Sequence, residues 1–425
     1  MNKPEVKETI GGYELHWLAE QLIIRVSRLR VHNSDGRVTG ELLITSPADG
    51  NKPIYPQTHL NFNSEQTRTR LAKTLDSQDS RWKWDEIINQ LSLIIVDRAR
   101  LGEPVKELWT SDDIQPPEFL VEPLLYKALP SIIFGEKAVC KSTLALVIYA
   151  CLILPWHDNP LGLTAPDRPI KTLIADYEVD YNIAQWNAKC LQIGMGLPAF
   201  PLYYRRCSLP LADDIEQLHS HIADIGAEAI IVDSLGPAVG GDLKDPGQAL
   251  RFTTAIRQLK CATLILGQTS KDKEGKTKSV FGSTFFEYYA RNIWELRKVQ
   301  EEDASTLDIA LFNTYHNLGR RFRPMGFHIS FNGSGTHIAT GAITAPELIE
   351  RLSAQARIQS ALQHGSMSPK ELAEECGLKD GTIRSTLHRM SDKQLVIKLP
   401  NGNYGLQSSM SVSYTHLTLP TTPYV

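Results

Sequence analysis

Hydrophobic and polar positions follow two different patterns in the first part of the chain. Over residues 13–46, β-branched and apolar residues flank an Asn-Ser-Asp-Gly turn, which predicts strands joined by a hairpin. Between Ser64 and Ala99 the apolar positions recur at helical spacing, with a break near 77–80, which predicts two helices. Residues 1–115 are therefore predicted to form a small α+β module, and they contain no motif that assigns a role.

After Pro116, Pro117 and Pro130 the pattern changes to short apolar runs that alternate with helical segments. The predicted strands are 131–134, 172–177, 229–234 and 262–268, and the predicted helices are 141–154, 215–225 and 247–260. This alternation is typical of a mostly parallel sheet that is covered on both faces. A later antiparallel pair over 307–312 and 326–329 would complete the sheet, so we predict an α/β domain over 118–343.

The C-terminal region has the order helix, helix, strand, turn, strand. A helix is predicted over 345–365, and SPKELAEECGL follows it with Ser368 as N-cap and Pro369 in the first turn. KDGTIRSTLHRMSDKQ forms the next helix, and VIKLPNGNYGL forms a hairpin with Asn401-Gly402 as its turn. We predict a domain over 345–408. Residues 411–425 match no preceding pattern and resemble a non-native tail.

Composition is that of an ordinary soluble protein. Of the 425 residues 42% are hydrophobic and 22% are charged, with a formal net charge of -3, and the length suggests two to three domains. We find neither a secretory leader nor an apolar run that could cross a bilayer, and six cysteines are scattered singly. We therefore expect a reduced, cytoplasmic protein without a membrane anchor or a zinc site, whose nucleic-acid contacts come from local basic patches.

Residues 135–143, GEKAVCKST, follow an apolar strand and open a helix, which is the context of a phosphate-binding loop. Lys141 would reach the β and γ phosphates, and Ser142 would ligate Mg²⁺. Cys140 stands where a glycine normally precedes the lysine, and a left-handed backbone there would cost roughly 1–2 kcal/mol. An ordinary strand-to-helix turn is the alternative. The predicted nucleotide-binding residues are Gly135, Glu136, Lys137, Ala138, Val139, Cys140, Lys141, Ser142 and Thr143.

Three later strands end in polar residues that extend this prediction. AIIVDS places Asp233 at the end of a buried strand, where it would hold Mg²⁺ together with Ser142. LIADYE places Asp176 and Glu178 at the end of another, and we favour Glu178 as the general base. Gln268, at the end of LILGQ, would sense the γ-phosphate. The alternative for Asp233 and Gln268 is an ordinary polar strand terminus, and the alternative for Asp176 and Glu178 is negative charge at the start of the following helix.

In this order, the segment from about 118 to 340 resembles the RecA-like ATPases of the plasmid RepA and DnaB replicative-helicase type. The resemblance implies a RecA-like P-loop core that binds ATP and Mg²⁺. It also implies a homo-oligomer, such as a hexamer, in which a basic residue of the neighbouring subunit completes each ATP site. The matching residues are GEKAVCKST, DYE (176–178), IIVDSLGPAVGGD (230–242), LILGQTSKD (264–272) and SVFGSTFF (279–286).

The late hairpin departs from the family pattern. Where family members commonly carry a lysine that reaches across the interface, this chain has Tyr315 or His316. Arg320 and Arg321 remain as candidate cations for the neighbouring site, and we take Arg321 as the catalytic candidate. Solvated turn residues are the alternative.

A lysine-rich stretch, residues 271–283, is predicted to contact single-stranded DNA because it directly follows the strand that ends in Gln268. A solvated loop is the alternative. The candidate contacts are Lys271, Lys273, Lys276 and Lys278.

The C-terminal domain resembles a winged helix-turn-helix. Its second helix would present Arg384, His388 and Arg389 to a groove of duplex DNA. A domain that contacts proteins is the alternative, since its charges are nearly balanced.

These features favour an ATP-dependent DNA-associated protein, helicase-like or helicase-loader-like, of phage or plasmid replication. The alternative is a nucleotide-gated DNA-binding regulator or partition-like switch that does not unwind DNA. Cys140 and the missing interface lysine favour the second, whereas Glu178, Gln268 and the lysine-rich stretch favour the first. A small-molecule kinase has little support, because no phosphoacceptor pocket or lid is evident in the sequence.

Overall fold

The computed structural model describes residues 3–407 except 33–34, 102–104, 106, 109, 111–113, 270–284, 300–304, 344, 350–351 and 364. This part of the chain forms two compact units, which divide between Gly341 and Ala342. Over the same described ranges, no helix is long and apolar enough to cross a membrane.

The first unit begins with a five-stranded antiparallel sheet and two helices. The strands are β1 (Glu5–Thr9), β2 (Gly12–Trp17), β3 (Leu22–Val31), β4 (Val38–Thr45) and β5 (Pro53–Asn61), paired in that order, with a 3₁₀ turn at Pro47–Asp49. The helices are α1 (Glu65–Gln78) and α2 (Trp84–Leu101). Their apolar faces pack on the sheet, with Trp17, Leu75 and Leu91 in the shared core.

The predicted strands over 13–46 and the two helices broken near 77–80 are confirmed. The prediction missed β1 and β5, which are the two edge strands. Most of their residues are exposed or half-buried, and β5 contains two prolines. Edge strands need no continuous apolar pattern, because each pairs with only one neighbouring strand and leaves much of its surface exposed.

The rest of the first unit alternates strands and helices after a small two-stranded sheet. Its elements are β6 (Phe119–Val121), β7 (Leu125–Tyr126), β8 (Pro130–Gly135), α3 (Lys141–Ile153), β9 (Thr172–Asp176), α4 (Tyr181–Met195), β10 (Tyr203–Arg206), α5 (Ile215–Ile225), β11 (Ala229–Asp233), α6 (Leu235–Val239), α7 (Pro246–Leu259), β12 (Ala262–Gln268), α8 (Phe285–Tyr289), β13 (Asn292–Val299), β14 (Thr306–His316), β15 (Met325–Asn332) and β16 (Gly335–Thr340).

Strands β8 to β16 form one sheet in the order β10-β9-β11-β12-β8-β13-β14-β15-β16. The strands from β10 to β13 in this order pair in parallel, and β14 to β16 add antiparallel pairs. The predicted mixed α/β architecture and the late antiparallel pair are confirmed. The prediction missed β10 (YYRR) and β13 (NIWELRKV), because charged residues in these strands interrupt the apolar pattern.

Two apolar layers cover the parallel part of the sheet. Along β8, Ile132 and Phe134 face the layer formed by α5, α6, α7 and α8, while Ile133 faces the layer formed by α3 and α4. Helix α3 is apolar on all sides, and its residues from Leu144 to Ile153 are buried. Because both faces are covered, the carboxyl ends of the parallel strands are the natural place for a ligand site.

The second unit contains α9 (Pro346–Ile349), α10 (Ala354–Leu362), α11 (Pro369–Cys376), α12 (Asp380–Asp392), β17 (Val396–Lys398) and β18 (Tyr404–Leu406). The predicted order from α11 to β18 is confirmed, and Ser368 forms a capping box with Glu371. The single helix predicted over 345–365 is wrong. Ser353 starts a new helix there, because its side chain accepts the backbone N–H of Ala356 at 3.2 Å.

Candidate functional site

The loop between β8 and α3 has the backbone that a phosphate-binding loop requires. A side chain at Gly135 would place its Cβ 2.5 Å from the carbonyl oxygen of Leu296, so only glycine fits there. Cys140 adopts the left-handed conformation, with φ of 63° and ψ of 31°. The strain anticipated at this position is therefore present. Helix α3 starts at the next residue, and its N-terminus points its free N–H groups into the loop.

Lys141 lies across this loop. Its Nζ donates to the carbonyl oxygens of Glu136 at 2.7 Å and Gly135 at 3.2 Å. Burial lowers the pKa of the Lys141 ammonium, while the carboxylates of Asp233 and Glu178 act in the opposite direction. The ammonium is thus held at the loop by carbonyl groups and faces two carboxylates.

The two predicted Mg²⁺ ligands are brought together. Ser142 starts α3 and Asp233 ends β11, and the Ser142 hydroxyl donates to Oδ2 of Asp233 at 2.6 Å. Burial raises the pKa of Asp233 to about 6; the Ser142 hydrogen bond and Lys141 lower it, and the Asp176 and Glu178 carboxylates raise it further. A buried carboxylate with a serine hydroxyl beside it is a set of hard oxygen donors.

Asp176 and Glu178 differ in exposure and in their partners. Asp176 is opposite Asp233 in the β9–β11 pair, and it is only 4% exposed. Its Oδ1 accepts the backbone N–H groups of Glu178 at 2.7 Å and Val179 at 2.9 Å. Asp176 therefore shapes the turn that presents Glu178, whose own carboxylate is exposed.

Ser234 is a site residue that the sequence reading did not assign. Its hydroxyl donates to Oε1 of Glu178, so it holds the predicted base next to Asp233. The only signal in the sequence was a hydroxyl residue directly after the aspartate in AIIVDS, and a serine there is also a common helix N-cap.

Lys298 is a second residue that the sequence reading missed. Strand β13 pairs in parallel with β8, with Leu296 opposite Gly135, so the strand continues past the start of the phosphate loop. Burial raises the pKa of the Cys140 thiol, and the charges of Lys298 and Lys141 act against that rise. Lys298 therefore adds a further positive charge near the loop, besides the lysines of the loop itself.

Gln268 lies at the same end of the parallel strands as the phosphate loop. Strand β12 runs between β11 and β8, and its last residue, Gln268, is opposite Gly135. The side chain is exposed. The structure therefore brings Gln268 to the carboxyl ends of the parallel strands, where Lys141, Asp233 and Glu178 also lie.

Within one chain, the structure does not bring Arg321 to the carboxyl ends of the parallel strands, where the phosphate loop lies. His316 ends β14 opposite Asn292 of β13, which is in turn opposite Ser131 at the start of β8. The turn that follows His316 contains the exposed Arg321. It thus lies at the end of the sheet where β8 begins, whereas the phosphate loop follows the other end of β8. His316 itself is occupied, since its Nε2 is 2.7 Å from the hydroxyl oxygen of Tyr126.

The predicted DNA contacts are placed less completely. Lys271, Lys273, Lys276 and Lys278 lie outside the described residues. On α12, Arg384, His388 and Arg389 are exposed on one side, and the opposite side is buried. Nδ1 of His388 is 2.9 Å from Oδ2 of Asp392, and Nε of Arg389 donates to the carbonyl oxygen of Ser385 at 3.3 Å.

Comparison with known proteins gives one family. Residues 95–274 match the model of a family described as an AAA domain. No curated protein matches the chain. The matched segment contains the phosphate loop, Glu178, Asp233 and Gln268, so the match and the geometry together support a P-loop ATPase.

Two solved structures resemble part of the fold. A KaiC-like protein from the hyperthermophilic archaeon Pyrococcus horikoshii OT3 is 13% identical over 53% of this chain and 96% of its own, with a TM-score of 0.35. A RadB recombinase is 16% identical over 50% of this chain and 91% of its own, with a TM-score of 0.36. Likeness at this distance assigns no activity.

Proposed function

We propose that this chain binds ATP together with Mg²⁺ and hydrolyses the γ-phosphate. The observation that carries the proposal is the hydrogen bond between Ser142 and Asp233, which joins the start of α3 to the end of β11 beside the phosphate loop. An ordinary strand-to-helix turn has no reason to meet a buried carboxylate from another strand.

Each residue has a role in this proposal. Backbone N–H groups of the loop 135–143 cradle the phosphates, and Lys141 supplies positive charge. Ser142 and Asp233 would hold Mg²⁺, and their oxygen atoms fit that ion. When bound, Mg²⁺ neutralises charge on the phosphate oxygens.

Glu178 would accept the proton of the attacking water as general base. Its exposure at the edge of the site favours this role over Asp176, whose Oδ1 is bonded to two backbone N–H groups. Gln268 would sense the γ-phosphate and communicate its presence to the segment that follows β12.

We further propose a RecA-like DNA-associated motor or helicase loader of phage or plasmid replication. In this proposal Lys271, Lys273, Lys276 and Lys278 contact single-stranded DNA, and the C-terminal unit binds duplex DNA as a winged helix through Arg384, His388 and Arg389. The position of Arg321 supports a homo-oligomer. Because Arg321 lies at the opposite end of the strands from the phosphate loop of its own chain, it could reach only the phosphate loop of a second copy. A hexameric homo-oligomer is the assembly to test.

A nucleotide-gated DNA-binding switch is the second candidate. Two observations favour it: the left-handed Cys140 in the phosphate loop, and the late hairpin, where Tyr315 or His316 stands in place of the lysine common in the resembled family and His316 is bonded to Tyr126. Both would slow turnover without preventing nucleotide binding.

ATPase assays with and without single-stranded DNA, together with strand displacement and light scattering, separate the two. A motor shows hydrolysis that rises with DNA, displaces a strand and has an oligomeric mass. A switch shows nucleotide-dependent DNA affinity without displacement. Absence of ATP binding in calorimetry would refute both.

A further inference from the structure

The N-terminal module contains an open cavity between α1, α2 and the end of β5. Its volume is about 500 Å³, and it lies within the first 101 residues, far along the chain from the phosphate loop. The lining combines polar and charged side chains with an apolar wall. The lining residues are Phe62, Asn63, Arg68, Asn89, Ser92, Leu93, Val96, Asp97 and Arg100.

The oxygen atoms of the two asparagines are already used. Oδ1 of Asn89 accepts Nε of Arg68 at 3.2 Å, and Oδ1 of Asn63 accepts the backbone N–H of Val38 at 2.7 Å. Their Nδ2 groups make no hydrogen bond with another residue in the described ranges. Each amide therefore has an Nδ2 donor without a partner among the described residues, beside an oxygen that already accepts one hydrogen bond.

Ser92 adds a buried hydroxyl. The residue is 2% exposed, lines the cavity, and its Oγ has no hydrogen-bond partner in the part of the chain that the structure describes. A buried polar atom without a partner is costly, which makes it a marker of a group that a ligand satisfies.

Arg68 and Arg100 supply positive charge with fixed geometry. Nη1 of Arg68 donates to the carbonyl oxygen of Phe62 at 2.8 Å, and Nη2 of Arg100 donates to that of Gly36 at 3.1 Å. Asp97 is the one carboxylate in the lining, so the formal charge of the lining residues is positive. Leu93, which is 74% exposed, provides an apolar surface beside the donors.

We propose that this cavity binds the phosphate group of a phosphoester. A phosphate offers several acceptor oxygens and negative charge, and it matches a set of amide, hydroxyl and guanidinium donors. The apolar wall at Leu93 fits the sugar or base attached to that phosphate. The phosphoester is either a small phosphorylated molecule or the backbone of a nucleic-acid strand.

The test uses the full chain with Lys141→Ala, so that the phosphate loop does not contribute, and calorimetry with inorganic phosphate as probe. Asn89→Asp keeps an oxygen that can bind Arg68 but places a negative charge in the cavity, and Ser92→Ala removes a hydroxyl that has no hydrogen-bond partner among the described residues. We expect Ser92→Ala to weaken phosphate binding about tenfold and Asn89→Asp by more. Ser77→Ala, on the exposed side of α1, is the matched control and should have no effect.

Two further arms identify the source of the phosphate. If Asn89→Asp also weakens binding of a short oligothymidylate and ribose 5-phosphate competes with that strand, the ligand is nucleic acid. If only ribose 5-phosphate binding falls, the ligand is a small phosphoester. The proposal is overturned by non-saturable phosphate binding, by acetate binding equally well, or by phosphate binding that survives both substitutions. Thermal midpoints confirm that the variants are folded.

Discussion

The candidate nucleotide site and the N-terminal cavity are both lined by polar side chains, but the hydrogen bonds that these side chains make differ between the two sites. In the nucleotide site the functional groups bond to one another: Ser142 to Asp233, Ser234 to Glu178, and Asp176 to the backbone of the next turn. In the cavity the donors of Asn63, Asn89 and Ser92 have no partner among the described residues. The first arrangement positions groups for chemistry, and the second leaves them ready for a ligand.

This difference predicts how substitutions combine. Groups that bond to each other are coupled, so the effect of one substitution depends on whether its partner is present. Donors that act separately on a ligand give effects that nearly add. The following predictions test this contrast.

We expect the largest effect from Lys141→Ala. The ammonium supplies the main charge at the β and γ phosphates, so ATP binding should be abolished and hydrolysis lost with it. Calorimetry with ATP measures it, and Lys171→Ala is the control, since Lys171 is exposed and precedes β9, at the opposite end of that strand from Asp176. Phosphate binding in the N-terminal cavity should not change. ATP affinity that survives in the Lys141→Ala variant would refute the assignment of the loop.

Glu178→Gln should preserve ATP binding and reduce the hydrolysis rate by roughly 10² to 10⁴, the usual contribution of a general base. Asp176→Asn should have a milder effect, because an amide oxygen can still accept the two backbone N–H groups. Steady-state ATPase rates of the two variants give the comparison. A larger loss with Asp176→Asn would identify Asp176 as the base.

Replacing Lys273, Lys276 and Lys278 together by alanine should weaken single-stranded DNA binding and flatten its dependence on salt. Each lost phosphate contact lowers the logarithmic slope by about 0.7, so the three together should lower it by about 2. Anisotropy titrations at several salt concentrations measure the slope, and ATP affinity serves as the control. A slope equal to that of the wild type would mean that the segment is only solvated.

Ser234→Ala should lower kcat about tenfold and leave KM for ATP unchanged, because the hydroxyl donates to the Glu178 carboxylate and so orients the proposed base. In the Glu178→Gln background the same substitution should have almost no further effect. This double-mutant cycle tests the coupling directly. Equal losses in both backgrounds would show that Ser234 does not act through Glu178.

Cys140→Gly should have the smallest effect, a rise of a few-fold in nucleotide affinity or turnover. The left-handed backbone at this position costs a cysteine roughly 1–2 kcal/mol and costs a glycine almost nothing. Because the pKa of the thiol is raised, the wild-type ATPase should also resist mild peroxide. Peroxide inactivation that a reductant reverses would instead assign the thiol a redox role.

Much of the fold follows from local patterns. The runs SIIF, AIIVD and ATLILG predict strands because each is a continuous apolar run, and Ser368 as N-cap with Pro369 in the first turn predicts the start of α11. The pattern fails where the residues do not report burial. Edge strands β1 and β5 are largely polar, and the helix predicted over 345–365 is interrupted by a capping serine that resembles any surface serine.

For the candidate site, the sequence alone predicted which strand ends bring polar side chains to the loop: Asp176, Asp233 and Gln268 each close an apolar run, and Lys141 opens a helix. It could not determine which side chains meet. The strand order, with β9 beside β11, gives Glu178 its partner Ser234. The same order places β13 beside the phosphate loop and separates Arg321 from it. The physical reason is that local patterns record burial, whereas strand order depends on contacts between residues far apart in the chain.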